Sequence, residues 1–197
     1  MNREQLLRSL EIAGTPKNVL TAMGMVAREA FVPESLSQQA WDDSALRLAD
    51  GSTISQPAMV AVVLEELRLE PGLRILEIGS GSGYLLALIY AMGGFPTGIE
   101  IDPALAKESA RKLAGTAKVI LGDAAEVQRD PPYDRIVFSA ALREIPHWAK
   151  NELKPGGFVL APIGADTQEL IRIYADGRRE RTGRLCRFVP FRQNPIG

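Results

Sequence analysis

The chain has 197 residues, 46% of them hydrophobic, and its 23 Lys and Arg residues nearly balance 24 Asp and Glu residues, giving a formal net charge of -1. This length suits one domain with one sizeable core, and the balanced charge excludes a nucleic-acid or anionic-membrane partner held by bulk electrostatics. The single cysteine, Cys186, excludes an intrachain disulfide. The charged N-terminus has no apolar signal core, and no apolar run approaches the roughly 20 residues of a membrane span. We therefore expect a cytoplasmic monomer with no nucleic-acid or membrane partner.

The N-terminal part of the chain is predicted to combine helices with a long irregular connection. Apolar spacing predicts an amphipathic helix over 2–13, and a second helix over 16–29 starts at a proline. The segment 30–56 is irregular apart from a short helix around 34–40. Because irregular connections of this length are often functional, we expect an active-site loop here.

Strands and helices alternate from Pro57 onwards, which predicts a parallel sheet with helices on both faces. Near the C-terminus, Asp176-Gly177 lies between two predicted strands and is a hairpin signal, so an antiparallel strand should join the sheet at its edge. The predicted core helices span 57–67, 83–92, 103–114 and 146–153, and the core strands span 73–78, 95–101, 117–121, 134–140 and 157–163, with two more strands in 170–191. The expected fold is therefore α/β, with a mostly parallel seven-stranded sheet.

A glycine-rich turn follows the first core strand, in the run LEIGSGSGY from Leu76 to Tyr84. Its glycines at Gly79, Gly81 and Gly83 would let the backbone turn tightly and approach a ligand at a helix N-terminus. A dinucleotide fingerprint has the spacing G-x-G-x-x-G, whereas G-S-G-S-G resembles the first motif of the S-adenosylmethionine (SAM) methyltransferases. The alternative is a structural turn without a ligand, which is disfavoured because glycines weaken a helix start.

Two acidic residues end the next two strands. Glu100, which is 21 residues after Gly79, can accept hydrogen bonds from both ribose hydroxyls of a nucleoside. Asp123 can accept a hydrogen bond from an adenine amino group. Both lie where open α/β sheets bind ligands, at the carboxyl ends of parallel strands. A solvent-facing carboxylate is the alternative role for Glu100.

Motifs spread over most of the chain point to one family, and GSTISQP at 51–57 is the most specific of them. With these motifs, most of the chain resembles the protein-L-isoaspartate O-methyltransferases. The layout is that of the Rossmann-like methyltransferases, in which the last strand is inserted antiparallel. On this basis we expect one methyltransferase domain over 1–197, with N-terminal helices and an active-site loop in 1–56 and a Rossmann-like core in 57–197. The other matching segments are REAFVPE at 28–34, AWDD at 40–43, MVA at 59–61, LEIGSGSGY at 76–84, GD at 122–123, YDRI at 133–136, AA at 140–141, IP at 145–146, LKPGG at 153–157 and FVP at 188–190.

The resemblance implies that SAM is the cofactor and that the enzyme methylates the α-carboxylate of L-isoaspartyl residues in damaged proteins, which leads to a succinimide and repair. It also implies that Ser55 lies beside the transferring methyl group as the active-site residue, whereas capping the helix near Pro57 is its alternative role. No metal is expected, because a carboxylate is already an anionic nucleophile at neutral pH and needs mainly positioning. The expected cofactor-binding residues are Thr53, Ile54, Ser55, Gly79, Ser80, Gly81, Gly83, Glu100, Ile101, Asp123 and Ala124.

Some positions depart from the family pattern and keep other functions open. Ala58 stands where an aromatic residue or histidine is common, Ala124 where a glycine is usual, and Leu142 where a proline is expected, while 46–50 replaces the segment L-P-I-G-E. One alternative is SAM-dependent O-methylation of another carboxylate or hydroxyl, in a peptide natural product or small molecule. The other is a SAM-binding protein without catalysis.

Overall fold

The computed structural model describes residues 1–48 and 51–192. Residues 49–50, which belong to the segment 46–50 that departs from the family pattern, lie outside the described residues. So do residues 193–197 at the end of the predicted core.

The N-terminal part contains two helices, α1 (Arg3–Ile12) and α2 (Lys17–Met25), which are packed against each other. Helix α1 begins with a capping box between Asn2 and Gln5. Helix α2 is shorter than the predicted 16–29, because Val26 adopts an extended backbone conformation that ends the helix. Two short 3-10 segments follow, at Arg28–Phe31 and Glu34–Gln39.

The connection to the core contains a small hairpin that the sequence pattern did not predict. Its strands β1 (Leu46–Arg47) and β2 (Thr53–Ile54) pair antiparallel, and helix α3 (Pro57–Glu66) begins three residues later. Two-residue strands carry too few side chains to show alternation, so only the contacts reveal them. The hairpin places Ser55 in the short segment between β2 and α3.

Seven strands form the core sheet, as predicted. The strands are β3 (Arg74–Ile78), β4 (Phe95–Glu100), β5 (Lys118–Leu121), β6 (Tyr133–Phe138), β7 (Leu153–Ile163), β8 (Gln168–Tyr174) and β9 (Arg179–Cys186). The helices between them are α4 (Tyr84–Ala91), α5 (Pro103–Lys112) and α6 (His147–Asn151). The spatial order is β5-β4-β3-β6-β7-β8-β9.

The first five strands in this order are parallel, and β8 is inserted antiparallel beside β7. The predicted C-terminal hairpin is confirmed, with Gly177 in a left-handed conformation in its turn. The antiparallel insertion is the first strand of this hairpin, and the last strand, β9, is antiparallel to β8 at the sheet edge.

The two faces of the sheet are covered differently. Ile75, Val137 and Phe158 belong to one large core cluster that includes buried residues of α1, α2, α3 and α4. Their neighbours, such as Leu76 and Ile136, belong to a second cluster on the opposite face, since side chains alternate along a strand. That second face is covered by the five-residue helix α6 and by irregular segments.

A buried ion-pair network joins α3 to the hairpin at the sheet edge. Arg172, on β8, donates from Nε to the Glu66 carbonyl oxygen at 2.8 Å and also contacts the Glu66 carboxylate. Its Nη1 lies 2.5 Å from a carboxylate oxygen of Glu180 on β9. Arg184 of β9 lies 3.1 Å from the other carboxylate oxygen of Glu66. The end of α3 is thereby fixed against the last two strands.

Candidate active site

A solvent-open cleft of about 640 Å³, here called the main cleft, lies at the carboxyl ends of the parallel strands. Two smaller pockets adjoin it and share Thr53 and Ser139 with it: an inner pocket beneath the glycine turn and a mouth pocket beside Ser55. Of the predicted cofactor-binding residues, the main cleft is lined by Thr53, Gly79, Gly81, Glu100, Ile101 and Ala124. Ile54, Ser55 and Ser80 line the inner pocket.

Two glycines of the turn have different surroundings: one faces open space, and the other is packed against the segment after α5. Gly79 has a φ of 77°, and a Cβ at this position would meet no atom within 4 Å, so the backbone faces open space. Gly83 also has a positive φ, but a Cβ there would lie 2.7 Å from a methyl carbon of Leu113, just after α5. Gly83 lines none of the three pockets and is required for helix packing.

Glu100 ends β4 and lines the main cleft, with only 5% of its surface exposed. One carboxylate oxygen accepts a hydrogen bond from the Gly81 N–H at 2.6 Å, and the other accepts one from the Asp102 N–H at 2.9 Å. Each oxygen has a second lone pair, so the carboxylate can still accept two hydrogen bonds from a ligand. The glycine turn therefore holds Glu100 in place for such a contact.

The turn after β5 also contributes to the wall of the main cleft. Gly122 and Ala124 line the cleft, whereas Asp123 is buried beside them and is absent from the lining. One Asp123 carboxylate oxygen accepts a hydrogen bond from the Ala125 N–H at 2.8 Å. The predicted contact between Asp123 and an adenine amino group stays a prediction.

Ser55 lines both the inner pocket and the mouth pocket. The residue at the N-cap of α3 is Gln56, whose side chain makes no capping hydrogen bond. Instead, Asp43 accepts a hydrogen bond from the Ala58 N–H at 2.8 Å in the first turn of α3. Asp43 therefore caps α3, and Ser55 is left to line the two pockets.

A buried arginine fixes the backbone at Ser55. The guanidinium of Arg28 donates to the Ala40 carbonyl oxygen and to the Ser55 carbonyl oxygen, both at 2.7 Å. It lies 5.0 Å from the ring centre of Tyr84 in the first turn of α4. Burial lowers the pKa of Arg28 below its ordinary value. No role for Arg28 was predicted from the sequence, because its partners are far apart in the chain.

Glu77 and Ser80 bring buried polar atoms into the inner pocket. Glu77 is 2% exposed, and one of its carboxylate oxygens accepts a hydrogen bond from the Ser139 hydroxyl at 2.6 Å. Within the described residues, the other Glu77 oxygen and the Ser80 hydroxyl have no hydrogen-bond partner. Burial raises the pKa of Glu77 to about 8, against an opposing effect of the Ser139 hydrogen bond. A glutamate between the apolar residues Leu76 and Ile78 of β3 is a sequence signal that could have found this site.

The departures from the family pattern lie in different surroundings. Leu142 is buried in the core cluster of the second sheet face and forms a bridge with Ile163, so it lies away from the pockets. Ala124 lines the main cleft, and Ala58 is next to Met59, which lines the mouth pocket. Of these three positions, Ala124 and Ala58 are therefore the two that lie at or beside a pocket.

The described residues contain no group of three or more His, Cys, Asp and Glu side chains that could hold a metal ion. His147 is exposed at the start of α6. Among the helices of 1–48 and 51–192, none combines the length and apolar character that crossing a membrane requires.

Comparisons with known proteins agree with this geometry. The family model for protein-L-isoaspartate(D-aspartate) O-methyltransferase matches residues 1–195. A protein-L-isoaspartate O-methyltransferase 1 from Rhodopseudomonas palustris is 42% identical over 183 residues, which cover 87% of this chain and 74% of the relative. A protein-L-isoaspartate O-methyltransferase from a Caulobacter species is 40% identical over 185 residues, which cover 89% and 85% of the two chains.

A solved structure has the same fold over nearly the whole chain. It is a crystal structure from Plasmodium falciparum, described as a protein-L-isoaspartate O-methyltransferase in complex with S-adenosyl-L-homocysteine. Its TM-score is 0.86 at 26% identity, and the match covers 98% of this chain and 100% of that chain. The chain belongs to the protein-L-isoaspartate(D-aspartate) O-methyltransferase family.

Proposed function

We propose that this chain transfers the methyl group of SAM to the α-carboxylate of L-isoaspartyl residues in damaged proteins, which leads to a succinimide and repair. The observation that carries the proposal is the convergence of the glycine turn, Glu100 and Ser55 on adjoining pockets, in a chain that matches the family over residues 1–195.

The main cleft fits a nucleoside-containing cofactor. It lies at the carboxyl ends of the parallel strands, where open α/β sheets bind ligands, and the backbone at Gly79 has open space for a ligand. Glu100 is assigned to the ribose hydroxyls because it lines the cleft and each of its carboxylate oxygens can accept one more hydrogen bond. When bound, the cofactor supplies an electrophilic methyl group on sulfur. The residues proposed to hold it are Thr53, Ile54, Ser55, Gly79, Ser80, Gly81, Glu100, Ile101, Asp123 and Ala124.

Ser55 is assigned to orient the substrate carboxylate. Its hydroxyl can donate one hydrogen bond to a carboxylate oxygen, while the other oxygen attacks. As the new O–CH₃ bond forms, the S–CH₃ bond breaks with its electron pair on sulfur, and no proton moves. The chain therefore contributes orientation and partial exclusion of water rather than acid–base catalysis.

The same proposal includes a cytoplasmic monomer built as one methyltransferase domain over 1–197, without nucleic-acid or membrane partners. Its support is the balanced charge and the continuous core cluster that joins α1 and α2 to the sheet. Analytical ultracentrifugation tests the monomer, and limited proteolysis tests the single domain.

The decisive experiment measures transfer of labelled methyl from SAM to an isoaspartyl peptide, beside the same peptide with a normal aspartate. We expect base-labile label on the isoaspartyl peptide alone. Equal labelling of the two peptides would indicate another O-methyl acceptor. Cofactor binding without transfer to any carboxylate or hydroxyl would refute the enzyme assignment.

A further inference from the structure

The mouth pocket has an unbalanced charge. It is formed by residues on both sides of Ser55 and by the segment after β9, with a volume of about 490 Å³ including its open side. Of the described residues that line it, Arg187 alone carries a charge. A pocket with one cation and no acid attracts an anionic ligand group.

Arg187 differs from four of the five arginines that precede it in the hairpin. Arg172, Arg178, Arg181 and Arg184 all lie within 4.0 Å of a carboxylate of this chain. Arg187 has no ion pair and no side-chain hydrogen bond with any described residue. Its guanidinium is therefore available to a partner outside the chain.

The backbone at Arg187 is held firmly over the pocket. The buried side-chain amide of Gln168 accepts a hydrogen bond from the Phe188 N–H at 2.7 Å and donates one to the Phe188 carbonyl oxygen at 3.2 Å. At Val189, two residues after Arg187, the backbone carbonyl oxygen accepts a hydrogen bond from the Ala141 N–H at 2.8 Å. These bonds fix the base of the Arg187 side chain.

We propose that Arg187 is the substrate-anchoring residue that binds the isoaspartyl α-carboxylate across the mouth pocket from Ser55. This inference rests on the proposed function. A guanidinium presents paired N–H donors that match the two oxygens of a carboxylate, and each oxygen keeps a lone pair for attack on the methyl carbon. The methyl ester is neutral and loses this ion pair, so methylation itself weakens the hold on the product.

The test is peptide binding in the presence of S-adenosyl-L-homocysteine, which permits no turnover. A fluorescent isoaspartyl peptide is compared with its isoasparagine twin, whose free carboxylate is replaced by an amide. The parent protein should prefer the carboxylate by roughly 10- to 100-fold, the effect of one charge-assisted contact. Arg187→Gln should remove the preference, and Arg187→Lys should keep part of it.

Arg179→Gln is the matched control, because Arg179 is also a hairpin arginine without an ion pair among the described residues but lies outside the mouth pocket. It should leave the preference unchanged. A parent that binds both peptides equally, or an Arg187→Gln protein that keeps the full preference, would overturn the assignment of Arg187. Absence of methyl transfer by a parent that still shows the Arg187-dependent preference would instead count against the proposed function.

Discussion

At the start of α3, capping the helix and lining the pockets are tasks of different residues. Asp43 accepts the hydrogen bond from the Ala58 N–H, and Ser55 lines the two pockets. Substitutions at these two residues should therefore separate stability from turnover.

Ser55→Ala should lower kcat by roughly 10- to 150-fold, the equivalent of about 1.5–3 kcal/mol for one hydrogen bond to a charged group. Cofactor affinity and the thermal midpoint should change little, because Ser55 is not the cap of α3. Steady-state kinetics and thermal unfolding measure the two effects. Asp43→Ala is the comparison and should instead destabilise the fold by about 1 kcal/mol. An unchanged kcat in Ser55→Ala would remove Ser55 from the reaction.

Arg28 acts on Ser55 through the backbone. Arg28→Met removes both hydrogen bonds to the Ala40 and Ser55 carbonyl oxygens while keeping much of the side-chain volume. We expect a loss of about 2 kcal/mol of stability, because each bond to a charged group contributes about 1.5–3 kcal/mol and the apolar side chain recovers part of it. We also expect a lower kcat with a smaller change in cofactor affinity. Arg28→Lys, which keeps the charge but lacks the planar fork, should fall between the two proteins in kcat.

At the scale of elements, the helix and strand pattern was predictable because most core segments bury one or both faces. The predicted first strand, 73–78, agrees with β3 to one residue, and the hairpin turn was marked by Asp176-Gly177. The small hairpin of β1 and β2 was missed for lack of periodicity. Strand β7 begins four residues earlier than predicted, because Leu153 pairs with Tyr133 before a register shift.

The candidate site was predictable only in part. The glycine turn and Glu100 occupy fixed positions in a strand–turn–helix unit, so local pattern was enough to find them. The roles of Arg28, Glu77 and Asp43 depend on partners 15 to 62 residues away, such as Ser55, Ser139 and Ala58. Such pairings follow from topology, which a single sequence does not specify.

The network between α3 and the hairpin gives a prediction for the sheet edge. Arg172→Met would leave the buried carboxylate of Glu66 without its closest cation, and losing one partner of a buried ion pair typically costs about 3–5 kcal/mol. Because Arg184 still contacts Glu66, we expect a loss near the lower limit. Denaturant unfolding measures it, with Arg181→Met as the control, since the Arg181 side chain is mostly exposed and its buried partner Glu169 keeps a hydrogen bond from the Gly183 N–H. Equal losses of stability in Arg172→Met and Arg181→Met would contradict the prediction that Arg172 contributes more to the fold.

At the scale of the whole molecule, Glu77 makes stability depend on pH. Its pKa is raised from 4.5 to about 8, so in this window the folded protein keeps a proton that the unfolded chain has released. The stabilisation of the folded state by this bound proton is therefore lost as the pH rises towards 8. Glu77 should destabilise the cofactor-free protein most at alkaline pH.

Glu77→Gln removes this titration while keeping the shape of the side chain. Between pH 6 and 8.5, the thermal midpoint of the parent should fall relative to that of Glu77→Gln by roughly 3–8 °C. This range corresponds to at most about 3 kcal/mol from one displaced carboxyl group. All other titrating groups are shared, so they cancel in the difference. Parallel curves of thermal midpoint against pH for the two proteins would show that the pKa of Glu77 is not raised.

The unequal cover of the two sheet faces has a consequence for how the molecule opens. The face covered by α6 and irregular segments has fewer helical hydrogen bonds to protect its amides, so local opening should begin there. The groups that hold Ser55, namely Arg28, Tyr84 and α3, all belong to the better covered face. In native-state hydrogen exchange, amides of α6 should therefore exchange well before those of α3 and α4. The sheet face that holds Ser55 can then stay ordered at temperatures where the face covered by α6 already fluctuates.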